Sequence, residues 1–256
     1  MKIVLMALMS CLVTCKAIAQ DDSLKYSSVK IDSVDNTHNL KLKHFIAPTI
    51  CLGVGVLSIG SDWLNHQTHE INEELSEGID SKFSIDDYSQ YVPALSVYGL
   101  NLFGIKGVHD FKDRTMILAM SAITMGIVTN TMKRTIKEMR PDGTTNNSFP
   151  SGHTAMAFMG AEFLYQEYRN VSPWIGVAGY AVAAGTGFFR MYNNRHWLND
   201  ILAGAGIGIL STKFSYWLYP KIFKNADCQK KKHSMQFVAM PYYDGNGAGC
   251  AGLVRF

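Results

Sequence analysis

The chain has 256 residues, a formal net charge of +3 and a hydrophobic fraction of 47%. That is enough for one domain with a real apolar core. The basic residues form no stripe along which a nucleic acid would lie, which argues against a nucleic-acid partner.

Residues 1–19 read as a secretory signal. Lys2 supplies the positive start, Ile3 to Val13 the apolar stretch, and Ala17-Ile18-Ala19 a small-x-small cleavage site. Cleavage there removes Cys11 and Cys15. The remaining Cys51, Cys228 and Cys250 make neither a disulfide framework nor a zinc-ligand spacing. Cys228 and Cys250 either pair in an oxidising compartment or stay free. Residues 20–43 form a polar lead.

Six apolar stretches follow, at roughly 44–60, 91–108, 115–132, 154–168, 173–189 and 198–219. Several have the ~17–20 residues that a membrane helix needs. Thr115 to Met132 carries no charge, whereas Pro48, Asn101, Lys106, Glu162 and Lys213 interrupt others. The run Ala203-Gly204-Ala205-Gly206-Ile207-Gly208 follows no strand, so it reads as a close helix–helix contact and not as a nucleotide loop. The expected fold is therefore all-α: a bundle of about six apolar helices over 44–220, embedded in a membrane, with a soluble helical domain as the alternative.

Mean hydropathy is only +0.01, because 20–43, 61–90 and 224–256 are polar. The stretch 61–90 is acidic (Asp62, Glu70, Glu73, Glu74, Glu77, Asp80, Asp86, Asp87). His66 and His69 beside Glu70 read as part of an exposed polar helix in preference to a metal site. Residues 221–256 are expected to form a basic linker, with Lys230 to Lys232 as a solvated flank, and then a β-hairpin-like tail around Asp244-Gly245-Asn246-Gly247.

Three clusters carry the chemistry. His196 and Asp200 are four apart, hence on one face of a helix. A carboxylate there can hold one imidazole nitrogen protonated and leave the other free to attack. Taken alone, the pair also fits a simple buried hydrogen bond. His153 follows Pro150-Ser151-Gly152 at the start of an apolar helix, where backbone N–H groups favour an anion. Gly152 permits close approach, Ser151 adds a hydroxyl, and His153 is placed to protonate a leaving oxygen. Lys133, Arg140 and Arg190 stand at the ends of apolar helices. Snorkelling accounts for any one of them, but not for their alignment with two histidines. A phosphoryl group in transfer spreads negative charge over its oxygens, and three cations with backbone donors suit it. No carboxylate cluster suggests a metal, so neither metal nor cofactor is expected.

These residues resemble a known family. Lys133-x6-Arg140-Pro141, Pro150-Ser151-Gly152-His153 and Arg190-x5-His196-x3-Asp200 are similar to the three signature motifs of the type-2 phosphatidic acid phosphatase and vanadium haloperoxidase superfamily. The resemblance covers about 44–220. It implies that His196 is a nucleophile forming a phosphohistidine, oriented by Asp200, with His153 as general acid. Lys133, Arg140, Ser151, Gly152 and Arg190 would hold the phosphate. Phe189 stands where the family usually has Ser.

The resemblance further implies an inner-membrane protein whose active site faces the periplasm and whose substrate enters from the lipid. Candidate substrates are lipid A phosphate, phosphatidylglycerol phosphate, phosphatidic acid and undecaprenyl pyrophosphate. A cleaved signal conflicts with this topology, since six spans would then put the site in the cytosol. The conflict lifts if a weak stretch such as 91–108 does not cross, if the leader is not cleaved conventionally, or if the domain is soluble in the periplasm. The rival readings are a soluble periplasmic non-specific acid phosphatase and a non-enzymatic membrane protein that keeps the fold.

Overall fold

The structure, a computed structural model, describes residues 43–76, 84–224, 236–243 and 248–255. The leader, the lead before Lys43, the Lys230–Lys232 run, Cys228 and the side chain of Cys250 lie outside the described residues.

Contacts divide the chain after Ser215 into two units. The first contains helices α1 (Lys43–Ile59), α2 (Asp62–Ser76), α3 (Ile85–Ser89), α4 (Val92–Leu102), α5 (Phe111–Thr135), α6 (Gly152–Tyr168), α7 (Pro173–Tyr192) and most of α8 (Leu198–Tyr219). Every apolar stretch of the sequence is helical, but the helices differ in reach. Among the described residues, two helices, Phe111–Thr135 and Leu198–Phe223, are long and apolar enough to cross a bilayer. α1 and α2 meet that standard only as a pair, and they are bent by 100°. α4 has 11 residues and not the stretch to 108, because Gly104 takes φ +85° and ends the helical path.

α5 has the pattern of a helix facing lipid. Ile117, Ser121, Met125 and Thr129 recur at one face and are buried, while Ile123 and Ile127 on the other side are 62% and 63% exposed. A polar solvent would penalise that arrangement; hydrocarbon does not.

α6 is the central helix, buried on nearly every side. Its neighbours approach through small residues. A Cβ on Gly160 would lie 2.9 Å from Ala94 N of α4, and one on Gly204 would lie 2.6 Å from Ser151 O and 3.3 Å from Ala155 N. Gly206 points the other way, its Cβ direction meeting Pro48 O of α1 at 2.6 Å. The glycine run of α8 is thus a double contact, one side for the start of α6 and the other for α1. Gly204→Ala should therefore force α8 from Ser151 and lower stability by about 1–3 kcal/mol. Gly185→Ala, with nothing within 4 Å of the new Cβ, should be neutral. Thermal unfolding in detergent compares the two.

Midway along α6 lies a buried polar group. Glu162 is 1% exposed. Its Oε1 accepts from Lys213 Nζ at 2.6 Å and from Gln166 Nε2 at 2.5 Å, and its Oε2 accepts from Tyr180 Oη. At the far end of α6, His109 N and Nδ1 lie 3.0 and 2.7 Å from the Glu167 carboxylate.

The second unit comprises the end of α8, a π-helical turn over Pro220–Lys224, and strands β1 (Gln236–Tyr243) and β2 (Ala248–Arg255). The strands pair antiparallel, from Gln236↔Arg255 to Tyr243↔Ala248. This is the pairing expected for the tail; the four residues between the strands lie outside the described residues.

Candidate active site

One end of the first unit gathers the C-termini of α5 and α7, the N-termini of α6 and α8, and the short α3. The segment 136–151 links α5 to α6 and is folded on itself. Arg140 N donates to Thr145 O at 3.0 Å, and Gly143, at φ +66°, makes the turn between them. Asp142 accepts from Thr144 N at 3.0 Å and from Arg195 Nη1 at 3.1 Å. Trp197 Nε1 donates to Met139 O at 2.8 Å, and Ser151 N to Asp200 O at 3.1 Å. These bonds fasten the segment to the turn that opens α8, and so fix the three sequence clusters together.

His196 is 1% exposed. Its Nδ1 lies 3.2 Å from Asp200 Oδ2. The same oxygen accepts from Trp197 N at 2.9 Å and from the Ser148 hydroxyl. With Nδ1–H donated to a fixed carboxylate, the lone pair is on Nε2. Burial, and then the charges of Arg190, Lys133, Arg140 and His153, hold the imidazolium well below the usual histidine value. The ring is therefore neutral at physiological pH, as a nucleophile must be.

Lys133 Nζ donates to Asn147 O at 2.7 Å and reaches Ser148 O at 3.4 Å. Arg190 Nη1 donates to Asp86 Oδ2 at 2.6 Å and lies 3.4 Å from Asp87 Oδ1. The Nε atoms of Arg140 and Arg190 are buried and have no hydrogen-bond partner among the described residues. Unsatisfied buried guanidinium donors are costly and suit an incoming anion. Ser151 is wholly buried, and its Oγ caps α6, accepting from Thr154 N at 3.4 Å and lying 2.9 Å from Thr154 Oγ1. Next to it, Gly152 has open space at its Cβ position, with Thr129 Cγ2 nearest at 4.0 Å. His153 Nε2 lies 3.0 Å from Asp87 Oδ1. Phe189 joins an aromatic group, 5.9 Å from the Phe188 ring and 6.2 Å from the Tyr192 ring.

The structure thus brings His153, Arg190, His196, Asp200, Lys133 and Arg140 to one end of the bundle. It also adds residues that the sequence pattern does not reveal. Asp86 and Asp87 sit in the acidic stretch 61–90 and pair with Arg190, and Asn193 Nδ2 supports Asp86 at 3.0 Å. A signal was available, since three clustered cations call for a nearby carboxylate; the structure puts Lys133 and Arg190 at helix ends and Arg140, contrary to expectation, in the linking segment. Ser148, Glu138 and Asn199 surround Asp200 and carry no recognisable spacing. The polar helix expected around His66 and His69 is α2. His66 pairs with Glu70 at 3.3 Å, while His69 stacks on Trp197 with ring centroids 3.8 Å apart. Asn72 Nδ2 donates to Asn194 Oδ1 at 2.8 Å, and Asn194 takes φ 56°, a conformation Asn tolerates.

Residues 114–224 match the model of the PAP2 superfamily. The chain is 43% identical over 142 residues to a lipid A 1-phosphatase of Porphyromonas gingivalis, covering 55% of this chain and 32% of that protein. It is 34% identical over 77 residues to the bacitracin transport permease protein BcrC of Bacillus licheniformis, covering 30% of this chain and 36% of that protein. The chain therefore spans about a third of the length of these curated relatives. Among solved structures, a transmembrane PAP2-type phosphatidylglycerolphosphate phosphatase from Bacillus subtilis aligns with a TM-score of 0.52 at 19% identity, over 71% of this chain and 98% of that one. That likeness is one of fold.

Proposed function

Since residues 114–224 belong to the PAP2 superfamily, we propose that this membrane protein is a metal-independent lipid phosphatase of the bacterial envelope. The observation that carries the proposal is a neutral, carboxylate-oriented His196 under the charge of Arg140 and Arg190, whose buried Nε donors have no hydrogen-bond partner among the described residues.

In the proposed reaction His196 Nε2 attacks phosphorus, and the bond from phosphorus to the lipid oxygen breaks. His153 gives that oxygen its proton. Water then attacks the phosphohistidine, His153 takes a proton from it, and orthophosphate leaves. Lys133, Arg140 and Arg190 offset the charge on the equatorial oxygens, with the backbone at Gly152 beside them. Ser151 shapes this cradle by capping α6.

The substrate we favour is a lipid phosphomonoester, with the 1-phosphate of lipid A first, because the Porphyromonas gingivalis relative, 43% identical over 142 residues, is a lipid A 1-phosphatase. An inner-membrane location with a periplasm-facing site is the topology we favour, with the acidic α2 at the site end on the outer side.

The test is phosphate release by detergent-purified protein, in EDTA, from lipid A, phosphatidylglycerol phosphate, undecaprenyl pyrophosphate and a soluble aryl phosphate. Selective release from lipid A is expected. Equal release from the aryl ester would favour a non-specific acid phosphatase, and no release would sink the enzymatic reading. Because His196 is held below its usual 6.5, phosphoenzyme formation should persist at about pH 5.5 with no limb from the nucleophile near 6.5. Rapid-quench phosphoenzyme measurements across pH check this.

A further inference from the structure

Behind the His196–Asp200 pair, two buried carboxyl groups lie side by side. Glu138 lies in the segment that links α5 to α6. Its Oε1 accepts from Asn199 Nδ2 at 2.9 Å, and its backbone carbonyl accepts from Ser148 N at 3.0 Å. Glu138 Oε2 and Asp200 Oδ1 are both buried and lack a hydrogen-bond partner among the described residues. The two side chains lie within hydrogen-bonding reach of each other. Two ionised carboxylates cannot bond, since both are acceptors, and their charges would repel in a poorly solvated place. A single proton between them satisfies both oxygens.

The donors around the pair decide which group holds that proton. Asp200 Oδ2 already faces three: the Ser148 hydroxyl, Trp197 N–H and His196 Nδ1–H. Such a set favours the ionised form. Glu138 receives one bond, from a neutral amide. The proton therefore belongs to Glu138 Oε2 and is donated to Asp200 Oδ1.

We propose that Glu138 is a positioning residue held as a neutral acid, whose Oε2–H locks Asp200 and through it aims the His196 ring. The inference rests on His196 as nucleophile and Asp200 as its orienting partner. Burial, and then the charge of Asp200, push the Glu138 carboxyl up to about 7. The other charged or titratable groups bearing on the pair are His69 from α2, Lys133 from α5, Arg140 in the linking segment and His196 before α8.

The sign follows from the proton. Below about pH 7, Glu138 donates and Asp200 is fixed. Above it, Glu138 ionises, the donor is gone, and a second negative charge pushes on Asp200. Activity is then lost from this cause as pH rises. Glu138→Gln copies the acid form: its Oε1 accepts from Asn199, its Nε2–H donates to Asp200, and it does not titrate.

The experiment uses the full chain in detergent with p-nitrophenyl phosphate, comparing wild type, Glu138→Gln and Glu138→Ala between about pH 5.5 and about pH 8.5. The Gln variant's kcat relative to wild type should be near one at about pH 6 and rise about tenfold by about pH 8.5. The Ala variant should lose kcat roughly 10- to 100-fold with little change in KM. Infrared difference spectra supply a readout independent of turnover. A protonated-acid carbonyl band should be present in wild type at about pH 6, fade by about pH 8.5, and be missing in Glu138→Gln. A flat kcat ratio, or no such band at about pH 6, would overturn the role of Glu138. Absence of phosphate release by wild type would instead overturn the phosphatase reading, and the infrared band would still decide where the proton lies.

Discussion

His196→Ala is expected to abolish phosphate release, by at least about 10⁴-fold in kcat, and to leave no phosphoenzyme. The ring sits wholly inside the protein with Nδ1 tied to Asp200 at 3.2 Å, so no neighbouring group can take its place. His153→Ala should lose roughly 10²–10⁴-fold on a lipid ester, whose alkoxide leaves poorly without a proton. On an aryl phosphate, whose leaving group needs little help, the same variant should still form a phosphoenzyme and accumulate it. Asp200→Asn should fall between the two, because it misdirects the ring without deleting it. Rapid quench into alkali with labelled substrate separates the three, since a phosphohistidine survives base and is lost in acid. Equal phosphoenzyme in wild type and His196→Ala would sink the mechanism.

Lys213→Met is expected to destabilise the protein more than Gly204→Ala does, by about 3–5 kcal/mol. It leaves Glu162, itself 1% exposed, without the cation 2.6 Å away. The remaining donors, Gln166 and Tyr180, are neutral and cannot balance a buried charge. Glu162→Gln combined with Lys213→Met removes both charges and should recover most of the loss, since a neutral pair carries no desolvation penalty. Unfolding temperatures in detergent for the two singles and the double variant test this. A Lys213→Met protein as stable as wild type would overturn this account of the pair.

The helices and the cluster spacings were legible because apolar length and the i, i+4 step are local properties. The extent of α4 was not, because the break depends on the positive φ of Gly104 and not on hydropathy. The number of true spans was hidden for a related reason: α1 and α2 together have the composition of a crossing but turn by 100°. His196, Asp200 and His153 could be found from chemistry and order alone. Their supports could not. Asp86 lies 104 positions from Arg190, and Glu138 lies 61 from Asn199. Such pairings are set by how helices pack. The hydroxyl of Ser151 shows the opposite limit, since its residue type suits a ligand and a helix cap alike, and accepting from Thr154 N leaves its own hydrogen to donate.

Asp87 has a consequence for the reaction cycle. Its Oδ1 lies 3.0 Å from His153 Nε2 and 3.4 Å from Arg190 Nη1, so the two groups proposed to act on a phosphate share a carboxylate. Under the proposed reaction, substrate capture would be an exchange of one anion for another at these two groups. The same carboxylate, tethered on a five-residue helix, can return as orthophosphate departs. A pocket of uncompensated positive charge would bind its product as firmly as its substrate. Supplying a resident counter-ion weakens the hold on both, and it favours release of the small soluble anion over a ligand whose acyl chains keep it at the membrane.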